Sequence, residues 1–267
     1  MISATTRKKN NVSIEGNLDA PQTIIFAHGF GTDQTAWDAV KEAFKADYRI
    51  VLYDNVGAGA ADINAYSPIK YNTLQTYAND LLDIASELDL KGAIVVAHSV
   101  SSMISVIAAN KSPEHFSKLV LVGASPRYLN DGQYVGGFTQ DALDGMYETM
   151  TTNYYAWVSG FSAVAMGNPD KPELGEEFAK TLREIRPDIA LAVVKVIFES
   201  DVRNQLPVLN LPTLLLQTKE DIAVPGQVAA YLNDHIKNSV LQILDAEGHF
   251  PHISAPDTVI KSIQSFI

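Results

Sequence analysis

Residues 93–102, Ala-Ile-Val-Val-Ala-His-Ser-Val-Ser-Ser, constrain the fold more than any other stretch of this chain. A β-branched run stops at a serine flanked by small or hydroxyl residues, and a helix-compatible run, residues 103–109, follows at once. A strand, a sharp turn and a helix put Ser99 on the tip of the turn, with its hydroxyl standing clear of the sheet. The same residues also fit an ordinary strand-to-helix turn in which Ser99 only caps the helix. The rest of the chain has to separate the two.

Strand-like and helix-like segments alternate on both sides of this turn. Residues 23–27, 48–54, 93–97 and 119–123 are continuous apolar runs rather than alternating ones. Such runs predict a mostly parallel sheet covered on both faces. Residues 11–15 alternate weakly and read as an edge strand. Residues 35–44 have helical spacing through Trp37, Val40 and Phe44, and residues 74–88 carry Tyr77, Leu81, Ile84 and Leu88 along one helical side. The first ten residues are polar and are expected to be loose.

The rhythm breaks between residues 126 and 210. That segment holds no convincing strand; helical patterns cover residues 139–151, 154–166, 173–185 and 187–198. Strands return at 212–218 and 239–244, with helices at 226–236 and 256–267. The expected organisation is an α/β core of residues 1–125 and 211–267, with residues 126–210 as a helical lid inserted in it. No linker-like composition flanks the insertion, which argues for an excursion from one domain. A length of 267 residues suits one large α/β domain.

Composition narrows the function. A net charge of −11 argues against nonspecific nucleic-acid binding, which needs a basic face, and against docking on anionic membranes. There is no cysteine, so disulfides, thiolate catalysis and thiolate-bound zinc are excluded. No run approaches the roughly 20 apolar residues of a membrane helix, and residues 1–10 lack an apolar stretch of signal-peptide length. The expectation is a soluble cytoplasmic protein. Gly57-Ala58-Gly59 lacks the third glycine of a dinucleotide fingerprint. His249 and His252 have Pro251 between them and no third ligand close by, so neither a metal nor a cofactor is expected.

In a parallel sheet, ligands gather at the carboxyl ends of the strands. The loops there hold a serine, then an acid, then a histidine in chain order. Serine is a poor nucleophile until an imidazole accepts its proton, and an acid beyond the imidazole fixes its tautomer and stabilises the cation. Ser99 is the expected nucleophile, His249 the base and Asp221 the orienting acid. His252 is a rival base, and Glu220 and Asp245 are rival acids. The amide of Val100 and that of Phe30, in the loop His28-Gly29-Phe30-Gly31, are the expected oxyanion donors. His98 points away from the serine along the turn, as a pocket wall or a hydrogen-bond anchor.

Several stretches together resemble one subgroup of α/β-hydrolases. They are His28 to Gln34, Tyr53 to Gly59, His98 to Ile104, Ser125 to Asp131, Tyr134 to Phe138 and Arg186 to Leu191. The subgroup contains the bacterial stress-response regulator RsbQ and the plant receptors for karrikins and strigolactones. The resemblance runs from about Asn11 to the C-terminus. It implies an α/β-hydrolase fold under a V-shaped lid of four helices, with Ser99, Asp221 and His249 at the triad positions. It also implies an apolar pocket lined by Phe30, Tyr128, Met146, Phe161, Phe178, Val194 and Phe198, with Trp157 as a neighbour. The activity it implies is slow hydrolysis of small apolar esters or butenolide-type lactones. A second role it implies is reception of a small molecule with recruitment of a signalling protein partner. Ala97 departs from the glycine usual before the His-Ser pair, and as the next smallest residue it predicts little loss of activity.

Overall fold

The computed structural model describes residues 2–267. Its strands are β1 (Ser13–Gly16), β2 (Thr23–Ala27), β3 (Arg49–Tyr53), β4 (Ala93–His98), β5 (Phe116–Val122), β6 (Thr213–Glu220) and β7 (Ser239–Glu247). They form one sheet in the order β1-β3-β2-β4-β5-β6-β7. β1 runs antiparallel to β3 at one edge, and every other neighbouring pair is parallel.

The continuous apolar runs follow from this placement. Successive strand residues point to opposite faces. Ile25, Val51, Val95, Ala97, Leu119 and Leu121 join a core with the helices α3 (Leu74–Glu87), α4 (Val100–Lys111) and α9 (Gly226–His235). Their strand neighbours Ile24, Phe26, Ile50, Leu52, Val96 and Val120 join a second core. That core packs on α2 (Asp38–Lys41) and α11 (Pro256–Phe266), through Val40, Val259 and Ile263. β7, at the open edge, leaves Val240 and Ile243 exposed. A short helix, α10 (Pro251–Ser254), precedes α11.

Between β5 and β6 lie four helices: α5 (Gln140–Thr152), α6 (Tyr154–Met166), α7 (Pro172–Glu184) and α8 (Pro187–Glu199). Thr139 and Asn153 cap the first two through side-chain bonds to the amides of Ala142 and Ala156. Prolines at the first turn start the other two. No helix of the described residues is long and apolar enough to cross a membrane.

Two expectations need correction. Residues 2–10 are not loose: α1 (Ala4–Lys9) forms there, and Met1 lies outside the described residues. Ser3 caps it, and the Glu87 carboxylate of α3 accepts bonds from the Ser3 amide at 2.6 Å and from the Thr6 hydroxyl. Lys9 is paired with Asp80 at 2.9 Å, so the charges that look like solvated polarity in sequence are tethers. The helix expected over residues 35–44 is broken: 3-10 turns at Gln34–Trp37 and Glu42–Phe44 flank the single turn α2. The tighter turns still bury Trp37, Val40 and Phe44 on one side.

Glu87→Ala is expected to release α1. Amide exchange over residues 4–9 should quicken by on the order of tenfold or more, read by hydrogen-exchange mass spectrometry, while the sheet keeps its protection.

Candidate active site

The turn after β4 forces Ser99 to φ 54° and ψ −123°, a backbone shape that L-residues rarely adopt. Its amide donates to the Val122 carbonyl at 2.8 Å, and its carbonyl accepts from Ser102 at 2.9 Å. The hydroxyl meets His249 Nε2 at 2.8 Å, and His249 Nδ1 meets Asp221 Oδ2 at 2.8 Å. The carboxylate accepts only, so Nδ1 carries the proton and Nε2 accepts from the Ser99 hydroxyl. The three side chains arrive from β4, from the end of β7 and from the loop after β6.

Asp221 is held firmly. Its other oxygen accepts from the amides of Ala223 at 2.8 Å and Val224 at 3.1 Å. Burial alone would raise its carboxyl. The facing His249 ring and the bonds from His249, Ala223 and Gln217 outweigh burial and hold it below the ordinary 3.8. The rival acids lie elsewhere: Asp245 is ion-paired with Lys219 on the surface, and Glu220 offers its backbone carbonyl to Gly248 at 2.8 Å. The rival base His252 is fully buried and stacked on Trp37 at 4.3 Å. Burial, with His249 and His28 beside it, pushes the His252 ring down to about 3, so it stays neutral.

The loop after β2 passes tightly against the turn. A Cβ on Gly29 would come within 2.3 Å of His98 Nδ1 and 3.2 Å of the Ser99 Cβ. Only glycine at this position lets the loop pass so near His98 and Ser99. Sequence reasoning did not single out the clamp on this loop. The His28 carbonyl accepts from the Ser101 hydroxyl at 2.5 Å and from Asn55 Nδ2 at 3.2 Å, while His28 Nε2 accepts from the Asn55 amide at 2.9 Å. Asn55 falls just past the end of β3 within the stretch Tyr53 to Gly59, and that position is the signal that could have marked it. Val100 opens α4, so its amide lacks an intrahelical partner.

His98 acts as an anchor. It donates from Nε2 to the His249 carbonyl at 2.8 Å. Burial, then the neighbouring His252 and His249, keeps its pKa well below the ordinary 6.5. The inserted helices also reach the site. The His249 amide donates to Ala165 O of α6 at 2.8 Å, and Thr181 of α7 donates to Gly31 O at 2.8 Å.

The remaining expected pocket residues fall into two aromatic groups. Tyr128 hydrogen-bonds the Ser99 hydroxyl at 3.4 Å and packs on Phe198 at 4.7 Å. Trp157 stacks on Phe161 at 4.8 Å, and Phe178 packs on Phe250 at 4.4 Å, beside the His249 ring. Val194 is buried and Met146 half-buried in the same core. A small cavity of about 30 Å³ lies beside the loop after β2 and the start of α4. Phe30 and Val100 belong to its wall, together with Leu74, Ile104, Val193 and Ile197, four residues that sequence reasoning did not single out for the pocket.

The profile of the α/β hydrolase fold family matches residues 22–256. A karrikin-insensitive 2 receptor of Petunia hybrida is 44% identical over 252 residues, covering 94% of this chain and 93% of that one. A strigolactone esterase of Pisum sativum is 44% identical over 256 residues, covering 95% of both chains. The structure of a hydrolase from Oleispira antarctica superposes with a TM-score of 0.94 at 31% identity, covering 98% of this chain and 95% of that one.

The Asp221 carboxyl lies lower in the folded chain than in the unfolded one. Its contribution to stability is therefore present above about 3.8 and is lost as pH falls through the folded value. Asp221→Asn should cost about 2 kcal/mol at pH 7, the scale of hydrogen bonds to a charged group. In thermal melts, the gap between the variant and the wild type should close as pH falls below 3.8. A gap of constant size would contradict the assignment.

Proposed function

The chain belongs to the α/β-hydrolase family, in its karrikin- and strigolactone-receptor-like branch, and we propose that it is a cytoplasmic serine hydrolase of small, mostly apolar esters or butenolide-type lactones. One observation carries this reading: the unbroken line Asp221–His249–Ser99, with both hydrogen bonds at 2.8 Å. Residues 126–210 act as a lid on the core, and the amides of Phe30 and Val100 form the oxyanion hole.

Ser99 Oγ attacks the ester carbonyl carbon as its proton passes to His249 Nε2. The carbonyl oxygen takes the negative charge and accepts hydrogen bonds from the two amides. Asp221 stabilises the imidazolium. The intermediate collapses, the bond to the leaving oxygen breaks, and that oxygen takes the proton from His249. The acyl group is left on Ser99. Water then gives a proton to His249 and attacks the acyl carbon, which frees the acid and restores the serine. With a lactone, the leaving alcohol stays tethered to the acyl group.

A receptor role is the second reading, favoured by the lid contacts. The general base donates its backbone amide to α6, and the oxyanion loop accepts from α7. A ligand that shifts either group shifts the surface a protein partner would read. The relatives named as a receptor and as an esterase support both readings.

Ser99→Ala should reduce turnover of p-nitrophenyl acetate by about 10³-fold or more. Intact-protein mass spectrometry after incubation with a butenolide should show an acyl adduct on Ser99 or His249 in the wild type and none on the alanine variant. Unchanged turnover in Ser99→Ala would refute the reading.

A further inference from the structure

The imidazole of His28 has no part in the mechanism above, although it is buried in the loop that supplies the Phe30 amide. We propose that His28 is a positioning residue: its ring proton holds the Gly29–Phe30 peptide in the orientation that offers the Phe30 N–H to the oxyanion. This rests on the serine-hydrolase reading. The partners of the ring place its proton. Asn55 donates its backbone amide to His28 Nε2 at 2.9 Å. An amide N–H only donates, so Nε2 accepts and the proton is on Nδ1. Nδ1 then donates to the Gly29 carbonyl oxygen at 2.8 Å. The Thr32 hydroxyl donates to the same oxygen at 3.1 Å. The chain has no cis peptide bond among the described residues, and in a trans peptide the N–H points opposite to the C=O. Fixing the Gly29 oxygen on the side of His28 and Thr32 therefore fixes the Phe30 N–H on the other.

The loop needs such a hold. Position 29 has to be glycine, because a Cβ there would meet His98 Nδ1 at 2.3 Å. Glycine imposes little torsional preference, so the peptide after it turns over easily unless its carbonyl is tied. A half-turn would put the Gly29 oxygen where the N–H stands, and an oxyanion would face a lone pair instead of a donor. The preceding peptide is tied as well: the His28 carbonyl accepts from the Ser101 hydroxyl at 2.5 Å and from Asn55 Nδ2 at 3.2 Å. Asn55 thus acts twice, setting the tautomer of the ring with its amide and holding the carbonyl with its side chain. It can do so because β2 and β3 are neighbours, with Ala27 opposite Tyr53, so the two loops leave the sheet side by side.

Isosteres test the two ring nitrogens separately. His28→Asn keeps an N–H near the Nδ1 position and loses the acceptor; His28→Gln keeps an acceptor near the Nε2 position and loses the N–H at Nδ1. Thr32→Val removes the second donor with little change of shape. After melts establish which variants fold, kcat and KM are measured on p-nitrophenyl acetate, and long-range proton–nitrogen NMR locates the His28 ring proton in the wild type. The proton is expected on Nδ1. His28→Gln should lower kcat by about tenfold or more with KM within about twofold, because the oxyanion forms only after binding. His28→Asn should recover most of that loss, and Thr32→Val should lower kcat by about threefold at constant KM. If neither His28 variant folds, Thr32→Val decides, and an unchanged kcat there would overturn the role. A wild-type proton on Nε2, or a kcat in His28→Gln equal to or above that in His28→Asn, would overturn the positioning role and leave the hydrolase reading standing. Absence of ester turnover in the wild type would overturn the hydrolase reading, and the positioning role with it.

Discussion

The strained backbone of Ser99 is the constraint on which the rest of the structure depends. A conformation with φ 54° and ψ −123° costs on the order of 1–3 kcal/mol and persists only where its surroundings over-determine it. They do so here. The Ser99 amide is fixed to the β5 carbonyl of Val122, its carbonyl receives Ser102, and the Ser102 hydroxyl closes back on Ala97 at 3.0 Å. Ala97 is fully buried where strand and following helix meet, which explains why only a very small residue stands there. The same turn presses against Gly29, so Ser99 and the loop after β2 are set by one packing event.

Much of this was legible in the chain itself. The parallel strands showed because each feeds two cores, which leaves no polar position in the interior of β2 or of β4. The order Ser99, Asp221, His249 showed because each sits at a strand end, where the sheet must bring them together. The aromatic residues packed near Ser99 and His249 were legible only as residue types. The aliphatic cavity was not: Leu74, Ile104, Val193 and Ile197 read as ordinary core residues, and only the geometry separates a filled core position from a cavity wall. α1 was hidden for the opposite reason, since its anchors, Glu87 and Asp80, lie some eighty residues away on α3.

The helices between β5 and β6 are joined to the site by backbone as well as side chains. Gly248, just before His249, has φ 82°, and a Cβ there would fall 1.8 Å from Met166 O at the end of α6. The next amide along, that of His249, donates to Ala165 O. The end of α6 and the loop of His249 therefore pack as one body. Displacement of one carries the other, because neither contact has slack.

The imidazoles behind the site carry a thermodynamic consequence. His98 and His252 are folded away as neutral rings, yet in the unfolded chain each takes a proton near 6.5. Acid therefore draws the chain toward the unfolded state from that pH downward. For His252 the pull continues to about 3, at on the order of 1 kcal/mol for each pH unit. It begins well above the pH at which ordinary carboxylates protonate. The packing that holds His249 in register thus ties the fold to near-neutral surroundings: a compartment that sours would weaken it just behind the Ser99 turn.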